Sequence, residues 1–241
     1  MGQADPRSPF EVARHSARLL GMRKPQTPYP TYALSERIAD GSMHAIGVIG
    51  ASVGASYLIV WAAGNASGGQ MVALAIYGAA LIATFAASAF YHMTPWEGLR
   101  PRLRQIDHAA IYVKIAGTYT PLVVMIGSAF AYVILGIVWA LAMFGVITKI
   151  FFWRRPGWFS TGLYLIMGWL SVALIWGLLP VVPTLALVLI AVGGGLYTSG
   201  VVFYQWEGLK FSIAIWHGFV VAASACFFAA ITLGSMAQSI T

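Results

Sequence analysis

The sequence predicts an all-α, polytopic membrane protein: a bundle of seven transmembrane helices, amino terminus in the cytoplasm and carboxyl terminus outside. Three observations predict it. Hydrophobic residues make up 59% of the chain and charged residues only 9%, against about 25% charged in a soluble globular domain. A chain this apolar cannot clothe a water-facing surface. The apolar residues fall into long uncharged runs, each near the roughly 20 residues a bilayer demands. Finally, the basic residues between the runs alternate from one side to the other.

The first run extends from Gly41 to Ala62 and the second from Met71 to Tyr91. The third covers Ile106 to Ile126 and the fourth Ala129 to Phe151, with only Gly127-Ser128 between them. The fifth covers Trp158 to Leu178, the sixth Val182 to Tyr204, and the seventh Phe211 to Met236. Pro180 and Pro183 divide the fifth from the sixth. This organises the chain as a cytoplasmic tail (1–40), a seven-helix membrane domain (41–236) and a short outside tail (237–241). The first apolar run begins too late for a cleavable signal peptide. Within the tail, residues 10–20 (FEVARHSARLL) carry Phe10, Ala13, Ala17 and Leu20 on one helical face, the pattern of a short interfacial helix. His15 reads as a solvated side chain.

Orientation follows from the basic residues. Arg7, Arg14, Arg18, Arg23, Lys24 and Arg37 precede span one; Arg100, Arg102 and Arg104 follow span two. Lys149, Arg154 and Arg155 mark the junction of spans four and five, and Lys210 precedes span seven. The connections after spans one, three and five carry no Lys or Arg. The +7 net charge is therefore a topology signal, and no nucleic-acid partner is expected. Lys114 alone lies within a span, where an ammonium faces the bundle interior or snorkels to an interface. Trp61, Trp153, Trp158, Trp176 and Trp206 near span ends suit an aromatic belt. Gly50 and Gly54, and Gly193-Gly194-Gly195, suit close helix packing, and Pro121 a kink in span three. The single cysteine, Cys226, excludes a disulfide framework and a Cys-rich metal site.

The ionisable residues of the spans gather on the inner side. Glu36, Asp40 and His44 stand at the start of span one, Ser88 and His92 at the end of span two, and Asp107-His108 at the start of span three. His217 lies about two turns into span seven. Bland readings exist for several: Glu36 and Asp40 as first-turn acids favoured by the helix dipole, His44 as an interfacial cap, Asp107-His108 as the cap of span three. Ser88 shares a face with His92. His217, between Trp216 and Gly218 in an apolar helix, needs a buried partner. Two histidines and an aspartate from three spans could converge on a metal, although no two histidines share a helix at i, i+4.

The strings SERIADGSMHAIG (35–47), SAFYH (88–92), DHAAIYVKIAGTYTP (107–121), YTSGVVFY (197–204) and AIWHGFV (214–220) resemble the hemolysin III family, the bacterial branch of the progestin and adiponectin receptor superfamily. The resemblance implies a seven-helix fold in the bacterial plasma (inner) membrane with a zinc site near the inner leaflet. It implies His92 and His217 as zinc ligands, Asp107 as the carboxylate that reaches the zinc-bound water, and Ser88 as a neighbouring polar group. The superfamily carries two histidines at i, i+4 in span seven; here Ile213 stands at the first. A replacement ligand is then required: Asp107 directly, or less readily Ser212, His108 or His44.

Four functions compete. A zinc-dependent intramembrane hydrolase of a lipid amide or ester follows from the superfamily's similarity to alkaline ceramidases, with Asp107 as general base. A non-catalytic membrane protein of lipid sensing or membrane homeostasis is favoured by Ile213. A cytolysin, which the family name suggests, would have to be soluble before insertion, and this chain is apolar throughout. A transporter lacks ionisable residues in the outer half. Membrane lipids are the expected partners in every case.

Overall fold

The structure is a computed structural model and describes residues 32–152, 157–206 and 208–239. The 10–20 segment, the basic residues from Arg7 to Lys24, and Trp153, Arg154 and Arg155 lie outside the described residues, as does the side chain of Trp158. Among the described residues the regular structure is entirely helical, and seven helices are long and apolar enough to cross a membrane.

Helix α1 runs Leu34–Asn65, α2 Gly68–Met93, α3 Arg100–Ile126 and α4 Ala129–Phe151. The fifth span is composite. Helix α5 (Gly157–Trp169) passes through a 3₁₀ segment (Leu170–Leu174) into the short α6 (Ile175–Leu178). Helix α7 is Thr184–Gln205 and α8 is Ser212–Gln238. The sequence explains the tight turns. Ser67 and Gln70 form a reciprocal capping box at the start of α2. Gly127 ends α3 with φ of 67°, a conformation that favours glycine, and the Ser128 hydroxyl accepts the Ala131 N–H to open α4. Two residues therefore suffice to reverse the chain.

Two helices start well ahead of their apolar runs, by more than a turn each. Helix α1 begins at Leu34, ahead of the expected Gly41, so Glu36 and Asp40 are helical. Helix α3 begins at Arg100, ahead of the expected Ile106, so Asp107 and His108 lie two turns inside it and do not cap it; Leu99 holds that position. In both cases the acid of the early turn is buried in the bundle, Asp40 in α1 and Asp107 in α3, while Arg37, Arg102 and Arg104 are exposed at the helix ends.

Sequential helices pack side by side from α1 to α4, α7 packs on α8, and α8 packs back on α1. Helix α3 is the central element. The least apolar of the seven, it buries Asp107, Lys114, Thr120 and the aromatic Tyr112 and Tyr119. Apolar side chains such as Leu58, Leu74, Val138 and Ile231 fill the core, and others face outward, with Trp176 82% and Val60 76% exposed, as a lipid solvent allows. Pro121 lies inside α3 without ending it. Lys114 faces the bundle interior. Its Nζ donates to Ser224 Oγ at 2.7 Å, within 4.8 Å of the Phe85 ring centroid and 5.1 Å of that of Tyr197. Of the expected packing glycines, a Cβ at Gly54 would meet the Phe228 ring at 2.9 Å and one at Gly193 the Phe227 ring at 2.8 Å. Gly50, Gly194 and Gly195 have nothing so close.

Candidate metal centre

Three helices meet at one end of the bundle and bring Asp40 and His44 (α1), His92 (α2) and His217 (α8) together. One donor atom from each lies within 4.8 Å of the others. Asp40, His44 and His217 are 7%, 3% and 7% exposed, and the side chain of His92 is 9% exposed. The early start of α1 makes this arrangement. Asp40 and His44 stand four residues apart on one helical face, and that face turns toward α2 and α8.

One carboxylate contacts all three imidazoles. Asp40 Oδ1 lies 2.5 Å from His217 Nδ1. Asp40 Oδ2 lies 3.5 Å from both His44 Nε2 and His92 Nδ1. The ring centroids are 4.3 Å apart for His44 and His217, 4.6 Å for His92 and His217, and 5.1 Å for His44 and His92. An ionised carboxylate can only accept, so His217 Nδ1 carries the donated proton and its Nε2 keeps a free lone pair. A carboxylate that receives one ring N–H while the other nitrogen is left for a metal is the usual support of a ligating histidine. His44 Nε2 is buried with no hydrogen-bond partner; its 3.5 Å approach to Asp40 does not satisfy it. A buried polar atom left so is unfavourable by roughly 1–3 kcal/mol. A cation among these four residues would satisfy it. The donor set therefore fits a divalent metal with imidazole and carboxylate preference.

The residues expected from the sequence divide accordingly. His92 and His217 are brought together. Asp107 is buried but outside the group of four; its Oδ2 lies 3.3 Å from His108 Nδ1. His108 is held by its own surroundings, with Nδ1 2.9 Å from the Arg104 carbonyl and its carbonyl accepting from Tyr164 Oη at 2.8 Å. Ser88 is half-buried one turn before His92, and Ser212 is buried at the start of α8. The half-buried Ile213 leaves α8 with one histidine. Of the replacement ligands considered, His44 joins the group and Asp107, Ser212 and His108 stand outside it, while Asp40, expected only as a first-turn acid, is its fourth member. The signal in the sequence is the Asp–His pair at i, i+4 on one helix. Arg100 steadies the α2 end beside His92, donating from Nη2 to the Thr94 carbonyl at 2.7 Å and from Nη1 to that of Tyr91 at 3.4 Å.

Residues 32–228 match the family described as Haemolysin-III related. That stretch contains all four clustered residues. "Hemolysin-3 homolog" of Bacillus subtilis (strain 168) is 36% identical over 198 residues, which cover 82% of this chain and 93% of the relative. "Hemolysin-3" of Bacillus cereus is 37% identical over 199 residues, 82% of this chain and 91% of the relative. The human "Monocyte to macrophage differentiation factor" is 31% identical over 166 residues, 65% of this chain and 67% of the relative.

Proposed function

The chain belongs to the haemolysin-III related family of integral membrane proteins, and from that membership and the Asp40–His44–His92–His217 cluster we propose that it is a zinc-dependent hydrolase of lipid amides or esters in the bacterial plasma membrane. The observation that carries the reading is the buried quartet with the unpartnered Nε2 of His44. Bound zinc would polarise a carbonyl and lower the pKa of water. His44, His92 and His217 would hold the metal, and His44 takes the place of the histidine that Ile213 displaces. Asp40 would orient His217 through Nδ1. Asp107, on the neighbouring α3, is the candidate general base, and Ser88 a polar group for the head of the lipid. Membrane lipids reach such a site laterally, and the apolar flanks of the bundle face them.

Metal content of the purified protein tests the metal, with His92→Ala and His217→Ala as controls; no zinc in the wild type removes the reading. Release of fatty acid from lipid amide and ester substrates tests the chemistry, with Asp107→Asn expected to keep zinc and lose turnover.

One observation favours a second reading, a closed metal site in a non-catalytic membrane protein. Asp40 is itself close enough to be a fourth ligand, and four protein ligands make a closed structural zinc site, whereas three leave the open position of a catalytic one. Cobalt-loaded protein separates the two: added azide changes the visible spectrum of a three-histidine site and leaves a closed one unchanged.

A further inference from the structure

Helix α8 begins in an unusual way. Phe211, the residue before it, has φ of 64° and is the one non-glycine residue with positive φ among the described residues. Residues with a Cβ rarely adopt that region. No side-chain cap of its own supports it. Its N–H donates instead to Glu36 Oε1 of α1 at 3.0 Å, and the Lys210 ammonium lies 5.1 Å from its ring centroid.

Glu36, Asp40 and His44 follow one another at four-residue intervals, so they form a single ridge on α1. The ridge makes three contacts with α8, one at Phe211 and two at His217. Glu36 takes the Phe211 N–H, Asp40 takes His217 Nδ1, and the His44 ring lies against the His217 ring. Each residue in an α-helix advances about 100° around its axis. If the turn at Phe211 relaxed to negative φ, the start of α8 would swing away, and His217 lies less than two turns beyond it.

We propose that Glu36 is a positioning residue: by holding the backbone of Phe211 in its left-handed turn, it fixes the rotation of α8 and thereby the presentation of His217 to His44 and His92. The inference rests on the reading of the quartet as a metal site. First-turn acids on helices are ordinary, but this one is used on a different helix.

Zinc affinity measured by chelator competition on the full-length, detergent-purified protein tests it, together with hydrogen exchange at the start of α8 in metal-free protein. Glu36→Ala is expected to weaken zinc binding by about 10–100-fold, the range for outer supports of ligating residues, and to speed exchange at the Phe211 amide. Glu36→Gln, whose amide oxygen still accepts the N–H, should stay within about threefold of wild type. Adding Phe211→Gly to Glu36→Ala should recover much of the affinity, because glycine adopts the turn unaided; this double variant also serves if Glu36→Ala alone does not fold. Wild-type affinity in folded Glu36→Ala overturns the proposal, as does a Glu36→Gln loss equal to that of alanine. A wild-type protein that takes up no zinc removes the metal reading alone. The exchange measurement then decides the clamp: faster exchange in Glu36→Ala supports it and unchanged exchange overturns it.

Discussion

At the scale of single residues, the proposed metal site turns on His44. Ile213 occupies the α8 position one turn before His217, where a histidine would share its face. His44 approaches His217 from α1, its ring centroid 4.3 Å from that of His217. His44→Ala should therefore lower zinc affinity by at least the roughly 10–100-fold that changes behind the ligands produce. Adding Ile213→His to that variant should restore binding, since it supplies an imidazole on the neighbouring helix. Equilibrium competition with a chromophoric chelator reads both changes. Wild-type affinity in His44→Ala would show that His44 is packed beside the site and does not serve it.

At the scale of helices, the site depends on how closely α1 lies on α2. Gly47, just past His44, is the contact point: a Cβ there would come within 2.4 Å of Phe85 Cδ1 and 2.6 Å of Cε1. The Phe85 ring is buried and lies close to the Lys114 ammonium, so it has little freedom to yield. Gly47→Ala should destabilise the protein by about 1–3 kcal/mol, as overpacking does, and lower the melting temperature by several degrees. It should also weaken metal binding by pushing α1 from α2. Gly50→Ala, one turn further along, meets nothing within 4 Å and should leave both unchanged; thermal unfolding in detergent compares the two. The same helices show what the sequence could convey. The number of helices was legible because each lipid-facing surface requires an apolar run. The start of α1 was not, because Glu36 and Asp40 continue a helix whose polar face is satisfied by the Phe211 N–H and by His217, more than 170 residues away in sequence. His92 and His217 were legible as polar groups stranded in apolar helices. Asp40 and His44 sit at a helix start where acids and histidines are common, and only the packing of α1 on α8 distinguishes them.

At the scale of the molecule, the site draws on the first, second and last long helices, so a metal held there would be coupled to the fold. A ligand that binds only the folded state stabilises it by about 4 kcal/mol at a thousandfold excess over its dissociation constant. Zinc should accordingly raise the melting temperature and a chelator lower it, and neither should act on His92→Ala. The sidedness of the site is a separate expectation. Arg37, Arg100, Arg102, Arg104, Lys149 and Lys210 all lie at the helix ends on the metal-centre side. The turns at the opposite ends, Ala66-Ser67, Gly127-Ser128 and Pro180 to Pro183, contain no basic residue. Positive charge is retained on the cytoplasmic side during insertion, so the quartet should face the cytoplasm and draw its metal there. In a Cys226→Ser background, a cysteine at Asn65 should react in intact cells with a membrane-impermeant maleimide. One at Gly98, in the connection that follows His92, should react only after the membrane is opened. Labelling in the reverse order would place the metal centre at the outer face and make the external medium its source of zinc.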